Sequence, residues 1–292
     1  MERQRTIKCD IEFTGVALHS GRNVTVKLLP ASPNTGIIFK RIDLPGNPEI
    51  PAHIDYVVDT VMCTELGIGK VRIKTVEHFL SALFGLGIDN LIVKIDGCEL
   101  PAMDGSSYPF IKLLLKAGIK EFDEPKKIIK ITKKIEIKKK DKTVIIEPSE
   151  NLTFSFFIDY NHPLIGSQMF SFDFSTENYI SEISKARTFG FLKEVELLRK
   201  NNLGLGGSLE NAIVLTEDGI LNPEGLRYED EFVRHKILDA IGDLSLIGLK
   251  FIGHFIGIKS GHELNYQLAK TLLKDKSAWN FFNNKNYHYA IA

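Results

Sequence analysis

The polar face of one long predicted helix carries side chains that can bind a metal ion. At 100° per residue, His235 and Asp239 stand at positions i and i+4, so both side chains can reach one point in space. This is the spacing by which a helix offers two ligands to one metal. An ordinary solvated cluster of charges, completed by Lys236 and Asp243, is the alternative. The mixture of one histidine, two aspartates and a lysine favours the metal site.

His78 is the candidate for the third ligand that a tetrahedral zinc site with one open position requires. It lies in the first turn of another predicted helix, directly after Glu77. Zinc peptidases of the His-Glu-x-x-His type also place a glutamate beside a ligand histidine, where it serves as a base. Here the order is reversed and Ala82 occupies the second histidine position, so the remaining ligands must come from the 235–239 pair. A buried, hydrogen-bonded histidine is the alternative for His78 alone.

His262 lies at a predicted junction between a strand and a helix, within a Ser-Gly-His-Glu sequence that has the pattern of a capping box. An enzyme that hydrolyses an amide must protonate the leaving nitrogen, so it needs an acid as well as a base. His262 can be that acid if a carboxylate such as Asp243 keeps it protonated, although the helix N-terminus opposes protonation. A structural histidine near the cap is the alternative.

The glycine-rich segment at 204–207 follows an amphipathic run, Phe189–Leu203. It lacks the Gly-Lys-Ser/Thr ending of a phosphate-binding loop, which disfavours that function. The apolar run is either ordinary core or the wall of an apolar channel with a flexible lip.

Hydrophobic periodicity predicts the elements that position these residues. Thr75 is the predicted N-cap of the helix that carries His78, and further helices are predicted at 108–117, 227–247 and 261–275. Glu121–Pro125 is predicted to be a linker. The segment 126–148 alternates on both sides of residues 139–142, which predicts a hairpin, and nine of its lysines lie between 126 and 142. Its lysines either protect a sheet edge or contact an anionic surface or ligand.

The second half of the chain repeats the order of elements of the first. The sequence therefore predicts an α+β fold with two domains of similar β/α topology, at 1–122 and 127–275, and a C-terminal tail at 276–292. EHFLSAL (77–83) and RHKILDAI (234–241) each place a histidine early in a helix. This echo suggests a duplicated β-α-α-β-like unit, a hypothesis that different strand orders in the two halves would contradict.

Composition limits the classes of protein that the chain can represent. With 292 residues, 43% hydrophobic and 25% charged, it is typical of a globular protein. Zero formal net charge provides no field that would attract nucleic acid. The three cysteines, Cys9, Cys63 and Cys98, form no Cys-x-x-Cys pair, so neither a disulfide framework nor a thiolate zinc site is expected. The N-terminus lacks the apolar core of a signal peptide, and a cytoplasmic location is expected.

Seven stretches together resemble the UDP-3-O-acyl-N-acetylglucosamine deacetylase family of lipid A synthesis. They are spread over most of residues 1–270, and the long stretch around His235 is specific by itself. The stretches are GVALHSG (15–21), TVEHFLSAL (75–83), ELPAMDGSSYPF (99–110), ARTFGF (186–191), LGLGGSLENAIV (203–214), LRYEDEFVRHKILDAIGDLSLIG (226–248) and KSGHELN (259–265).

The resemblance implies a single-zinc enzyme in which helix layers pack between two sheets. It implies His78, His235 and Asp239 as zinc ligands, with iron(II) as an alternative metal. It also implies Glu77 as general base, His262 as the second catalytic histidine with Asp243 beside it, and Thr188 and Lys236 as groups that steady the oxyanion and bind substrate.

The substrate of the family is an acylated sugar nucleotide, and the resemblance assigns its contacts. Lys259 matches a position that meets the diphosphate, and Tyr160 matches the residue that stacks on uracil. Phe189, Val195 and Leu209 match the passage for the acyl chain, with Leu18 and Met62 near its mouth. We expect a monomer that contacts the inner membrane transiently. We expect no contact with nucleic acid.

Two other functions fit part of the pattern. A zinc peptidase or another amidase is disfavoured because the helix of His78 lacks a second ligand. A non-catalytic module that binds acylated sugar nucleotides is disfavoured because binding alone needs neither Glu77 nor His262.

Overall fold

The computed structural model of the protein describes residues 2–201 and 203–282. A mixed five-stranded sheet organises the first half of the chain, with helices α1 (Glu77–Leu86) and α2 (Tyr108–Ala117). Its strand order is β2-β3-β9-β4-β5, in which only β4 and β9 run parallel, and β1 pairs separately with β10. The strands are β1 (Arg3–Ile7), β2 (Ile11–Val16), β3 (Asn23–Pro30), β4 (Ile37–Arg41), β5 (Glu49–Pro51), β6 (Val57–Asp59), β7 (Glu65–Ile68), β8 (Val71–Ile73), β9 (Leu91–Ile95) and β10 (Ile119–Pro125).

The second half is organised by a larger sheet. Its main path is β12-β13-β18-β14-β15, in which only β18 and β14 run parallel, while β11 pairs with β18 and with β19. Its helices are α3 (Thr176–Asn178), α4 (Leu192–Lys200), α5 (Glu231–Ser245) and α6 (His262–Lys274). The strands are β11 (Ile128–Ile131), β12 (Ile135–Lys139), β13 (Lys142–Glu147), β14 (Leu152–Tyr160), β15 (Gly166–Asp173), β16 (Phe189–Phe191), β17 (Ile213–Leu215), β18 (Lys250–Ile258) and β19 (Trp279–Phe281).

The two halves share one topology. Strands β2-β3-β9-β4-β5 correspond in order and direction to β12-β13-β18-β14-β15. The antiparallel pair β1–β10 corresponds in the same way to β11–β19. The fold is α+β as predicted, and the strand orders agree with the duplication hypothesis. The division into domains at 122 and 127 stays a prediction.

Helices α1 and α5 pack against each other between the two sheets. Phe79 of α1 meets Phe39 of the first sheet, and α5 packs on β14 and β15 of the second. Nine of the ten residues of α1 are buried, which explains its almost entirely apolar sequence. At the crossing, a Cβ on Gly242 would lie 2.0 Å from the carbonyl oxygen of Glu77, so only glycine permits this approach.

Two segments are inserted at corresponding places in the halves. In the first half, β6, β7 and β8 form a small antiparallel sheet before α1. In the second half, α3, α4 and the parallel pair β16–β17 precede α5. Both insertions lead into the helices that carry the candidate metal ligands.

Several predicted elements differ from the structure. The predicted linker at Glu121–Pro125 is wrong, because these residues belong to β10 and pair with β1. The lysine-rich hairpin is confirmed as β12–β13 at the edge of its sheet. Within the predicted tail, Trp279–Phe281 forms β19, while 283–292 lie outside the described residues. None of the helices in the described part of the chain combines the length and apolarity needed to cross a membrane.

Candidate active site

Three of the predicted residues meet as a buried group that can hold a metal ion. His78 near the start of α1, and His235 and Asp239 on α5, place one donor atom each within 4.8 Å of the other two. Oδ1 of Asp239 lies 3.4 Å from Nε2 of His78 and 3.2 Å from Nε2 of His235. The two helices therefore bring together the donor set that the i, i+4 spacing predicts.

The donor atoms are oriented as a cation requires. Nδ1 of His235 lies 3.1 Å from the carbonyl oxygen of Ala186, so an N–H there leaves Nε2 free to bind a metal. Lys236 donates to Oδ2 of Asp239 at 2.9 Å. Oδ1 of Asp239 is buried and has no hydrogen-bond partner among residues 2–201 and 203–282. A buried carboxylate oxygen without a donor is costly unless a cation neutralises it, so these residues fit a metal.

The charges of these ligands also suit metal binding. Burial lowers the pKa of His235, which keeps the ring neutral. Burial opposes ionisation of Asp239, but the ammonium group of Lys236, 2.9 Å from its Oδ2, holds its pKa well below the usual range. Neutral imidazoles and a carboxylate are the forms that zinc binds.

Glu77 stands beside this group as a buried carboxylate. The backbone N–H of Thr64 donates to Oε2 at 3.1 Å, and Oε1 lies 4.0 Å from Nε2 of His262. Burial raises the pKa of Glu77 to about 7, although the charge of His262 opposes this effect. A carboxylate with this pKa can accept a proton near neutral pH.

His262 is held by Asp243. Its Nδ1 lies 2.9 Å from Oδ2 of Asp243, which also accepts from the side-chain amide of Asn265 at 2.9 Å. Burial disfavours the charged ring, but the carboxylate of Asp243 outweighs it and raises the pKa of His262 to about 10. Asp243 therefore favours the protonated form of the ring over the neutral form that burial favours.

Both predicted helix caps are wrong. Val76 occupies the cap of α1, because Thr75 adopts a φ of 57° and its hydroxyl donates to Glu99. Gly261 caps α6 without a side-chain bond. Ser260 is buried and Glu263 pairs with Lys139, so neither residue takes part in the predicted capping box.

Phe189 joins further predicted residues to the metal group. Its ring lies 6.3 Å from that of His235 and 5.9 Å from that of Tyr160, and Nζ of Lys236 stands 5.5 Å from its centre. Thr188 precedes it, and the backbone N–H of Thr188 donates to the carbonyl of Gly105 at 2.8 Å. The structure therefore brings Lys236, Phe189 and Tyr160 together.

The other predicted contacts lie around this centre. Lys259 pairs with Asp159 at 2.7 Å, one residue from Tyr160. The carbonyl of Leu18 accepts from Gly206 of the glycine-rich segment at 3.0 Å. Leu209 and Met62 are exposed, and Val195 lies in α4. Contact of these apolar residues with an acyl chain stays a prediction.

The sequence did not point to Thr64 or Asn265, although both bond to the catalytic candidates. It also missed Glu99, which accepts from the backbone of His19 and Ser20 and from the Thr75 hydroxyl. ELPAMDGSSYPF begins at Glu99, so that motif contained a signal for this residue.

Comparison with known proteins agrees with this geometry. A profile of LpxC, UDP-3-O-acyl N-acetylglycosamine deacetylase, matches residues 4–274. A Coxiella burnetii (strain RSA 493 / Nine Mile phase I) protein named UDP-3-O-acyl-N-acetylglucosamine deacetylase is 53% identical over 96% of this chain and 93% of its own. Proteins of that name from Thioalkalivibrio sulfidiphilus (strain HL-EbGR7) and Xanthomonas oryzae pv. oryzae (strain PXO99A) are 52% and 50% identical, again over 96% of this chain, and over 92% and 93% of their own. With such matches along nearly its whole length, the chain belongs to the LpxC family of UDP-3-O-acyl N-acetylglycosamine deacetylases.

Proposed function

We propose that this protein hydrolyses the N-acetyl group of UDP-3-O-acyl-N-acetylglucosamine in lipid A biosynthesis, releasing acetate. One observation carries the proposal: a buried group of possible metal donors lies close enough to Glu77 and His262 for the charge of Asp239 to act on both, in a chain of this family. Amide hydrolysis requires an activated water, a base that takes its proton and an acid that protonates the leaving nitrogen, and the site provides for each.

His78, His235 and Asp239 would hold the metal, for which we propose zinc. When bound, zinc supplies a water whose pKa is lowered to about 7 and polarises the carbonyl of the amide. Iron(II) also binds to two imidazole nitrogens and one carboxylate oxygen, so it is the alternative metal.

Glu77 and His262 divide the proton transfers between them. Glu77 takes the proton of the attacking water, since its raised pKa matches neutral pH. His262 is protonated in the free enzyme because of Asp243, so it can deliver a proton to the glucosamine nitrogen as the C–N bond breaks. Thr188 and Lys236 steady the negative oxygen that develops on the acetyl carbon.

The substrate would extend on both sides of this centre. Lys259 meets the diphosphate and Tyr160 stacks on uracil. Lys259 pairs with Asp159, the residue before Tyr160, so the two proposed contacts are close together, as the two parts of one nucleotide require. Phe189, Val195 and Leu209 line the passage of the acyl chain, and Leu18 and Met62 lie near its mouth.

The cellular setting forms a separate part of the proposal. The protein acts as a cytoplasmic monomer, built from domains at 1–122 and 127–275, and touches the inner membrane transiently. The three free cysteines support a reducing compartment. Sedimentation with anionic vesicles, compared between the wild type and a variant with Lys138 and Lys140 changed to glutamine, tests the membrane contact.

Acetate release from UDP-3-O-acyl-N-acetylglucosamine tests the activity. The protein is stripped of metal and assayed with and without one equivalent of zinc or iron(II). Release that depends on the metal supports reaction, substrate and cofactor together. Metal uptake without release would redirect the proposal to another amide, and failure to take up metal would overturn the assignment of the ligands.

A further inference from the structure

Thr64 contacts two carboxylates of the site: that of Glu77, the proposed base, and that of Asp243, which holds the proposed acid His262. Its backbone N–H donates to Oε2 of Glu77 at 3.1 Å, and its hydroxyl donates to Oδ1 of Asp243 at 2.5 Å. All three residues are buried, with 2%, 3% and 2% of their surface exposed. Solvent therefore does not compete for these bonds.

The bonds of Thr64 link the two halves of the molecule. Its carbonyl accepts from the N–H of Val76 at 3.4 Å, so its backbone is bound to the start of α1 at two points. Its side chain instead reaches α5, on the other half of the chain. A β-branched side chain has few rotamers, which fixes the direction of the hydroxyl relative to this backbone.

The result is a closed chain of contacts around the reaction centre. Thr64 holds Glu77 and Asp243, Asp243 holds Nδ1 of His262 at 2.9 Å, and Nε2 of His262 faces Oε1 of Glu77 across 4.0 Å. Each carboxylate uses one oxygen for Thr64, and the other oxygen of each faces a nitrogen of the His262 ring. The longest of these contacts, from Nε2 of His262 to Oε1 of Glu77, lies between the proposed proton donor and the proposed proton acceptor.

We infer that Thr64 is a positioning residue that sets the distance and direction between Glu77 and His262. It does not touch the reacting atoms, and it acts through the two carboxylates. This inference rests on the proposed function, since it assigns Thr64 to the same reaction. Misplacement of catalytic groups by 1 Å can cost about 100-fold in rate, so loss of the hydroxyl should appear in kcat.

The experiment compares Thr64→Val, which replaces the hydroxyl with a methyl group of similar size, with Thr64→Ser, which keeps the hydroxyl. We expect Thr64→Val to lower kcat by about 10- to 100-fold, with KM and bound metal near wild type, and Thr64→Ser to recover most of this loss. Thr153→Val is the matched control, because it removes a threonine-to-aspartate bond of 2.6 Å, to Asp173, away from the site. It should keep wild-type kcat.

The outcomes separate this inference from the proposed function. A wild-type protein that releases no acetate refutes the function itself. An active wild type with an equally active Thr64→Val refutes only the positioning role. Equal losses in the serine and valine variants would also refute it, because packing rather than the hydroxyl would then matter. If Thr64→Val does not fold, Thr64→Ala removes the hydroxyl without adding a methyl group against Asp243, and the same criteria apply.

Discussion

The protonation of His262 depends mainly on the carboxylate of Asp243, to which the charges of Glu77 and Asp239 add. Burial alone would keep the ring neutral, and Asp243 reverses that preference. Glu77 shows the opposite balance, since burial raises its pKa and the charged ring lowers it again only in part. The pKa values of the proposed base and the proposed acid are thus both raised, but by different causes: burial for Glu77 and a neighbouring carboxylate for His262.

Replacement of Asp243 should therefore change the pH dependence of the reaction. A general acid works only while protonated, so activity falls as the pH rises through its pKa. In Asp243→Asn the pKa of His262 falls, and the alkaline limb of kcat/KM should move down by about 1–3 pH units. Asp275→Asn, in an exposed turn, serves as control. An unmoved limb in Asp243→Asn would show that His262 is not the acid.

Loss of the base should affect turnover without affecting metal binding. Glu77→Gln keeps the size of the side chain and should lower kcat by about 10²–10⁴-fold, as expected for a general base. Metal content, measured by atomic absorption, should stay at the wild-type value. Glu263→Gln, one residue from His262 on the exposed side of α6, should remain near wild type. Wild-type turnover in Glu77→Gln would refute its role.

At the level of elements, the sequence predicted features that lie within one helix better than it predicted contacts between residues far apart in the chain. The i, i+4 pair of His235 and Asp239 is a property of one helix, and the structure brings it to His78. Thr75 failed as a cap because its hydroxyl bonds to Glu99, 24 residues further along the chain. The partners of Thr64 lie 13 and 179 residues away, a separation that no periodicity reports.

The crossing of α1 and α5 predicts the effect of a small substitution. In an isolated helix Gly→Ala is favourable by about 1 kcal/mol. In Gly242→Ala, however, the new methyl group meets the carbonyl of Glu77 at 2.0 Å, which backbone atoms cannot easily relieve. Overpacking of this kind costs about 1–3 kcal/mol of unfolding free energy.

Urea unfolding measures this change. Gly190→Ala is the matched control, because no atom lies within 4 Å of its added Cβ. A Gly242→Ala variant as stable as the control would mean that the helices can separate without cost.

At the scale of the whole molecule, a metal would join the two halves. Its ligands come from α1 on one side and α5 on the other, so metal binding stabilises the folded state and not the unfolded one. At free zinc 100 times Kd the gain is about 2.7 kcal/mol, or about 5–10 °C in Tm. Differential scanning calorimetry with and without chelator tests this, and His78→Ala should reduce the dependence on zinc. If the Tm of the wild-type protein does not change with zinc, a metal site shared by the two halves is contradicted.

The shared strand order also bears on how such a site can arise. A homodimer of half-length chains would place two copies of one helix across a two-fold axis, and both copies would present identical groups. In this protein the candidate base and acid are different side chains, Glu77 of α1 and His262 of α6. Fusion of the two genes releases the copies from symmetry, so that selection can give one helix a glutamate–histidine pair and the other a histidine and an aspartate. Under the duplication hypothesis, the shared strand order is what remains of the original symmetry, and the different side chains of α1 and α5 are where that symmetry was lost.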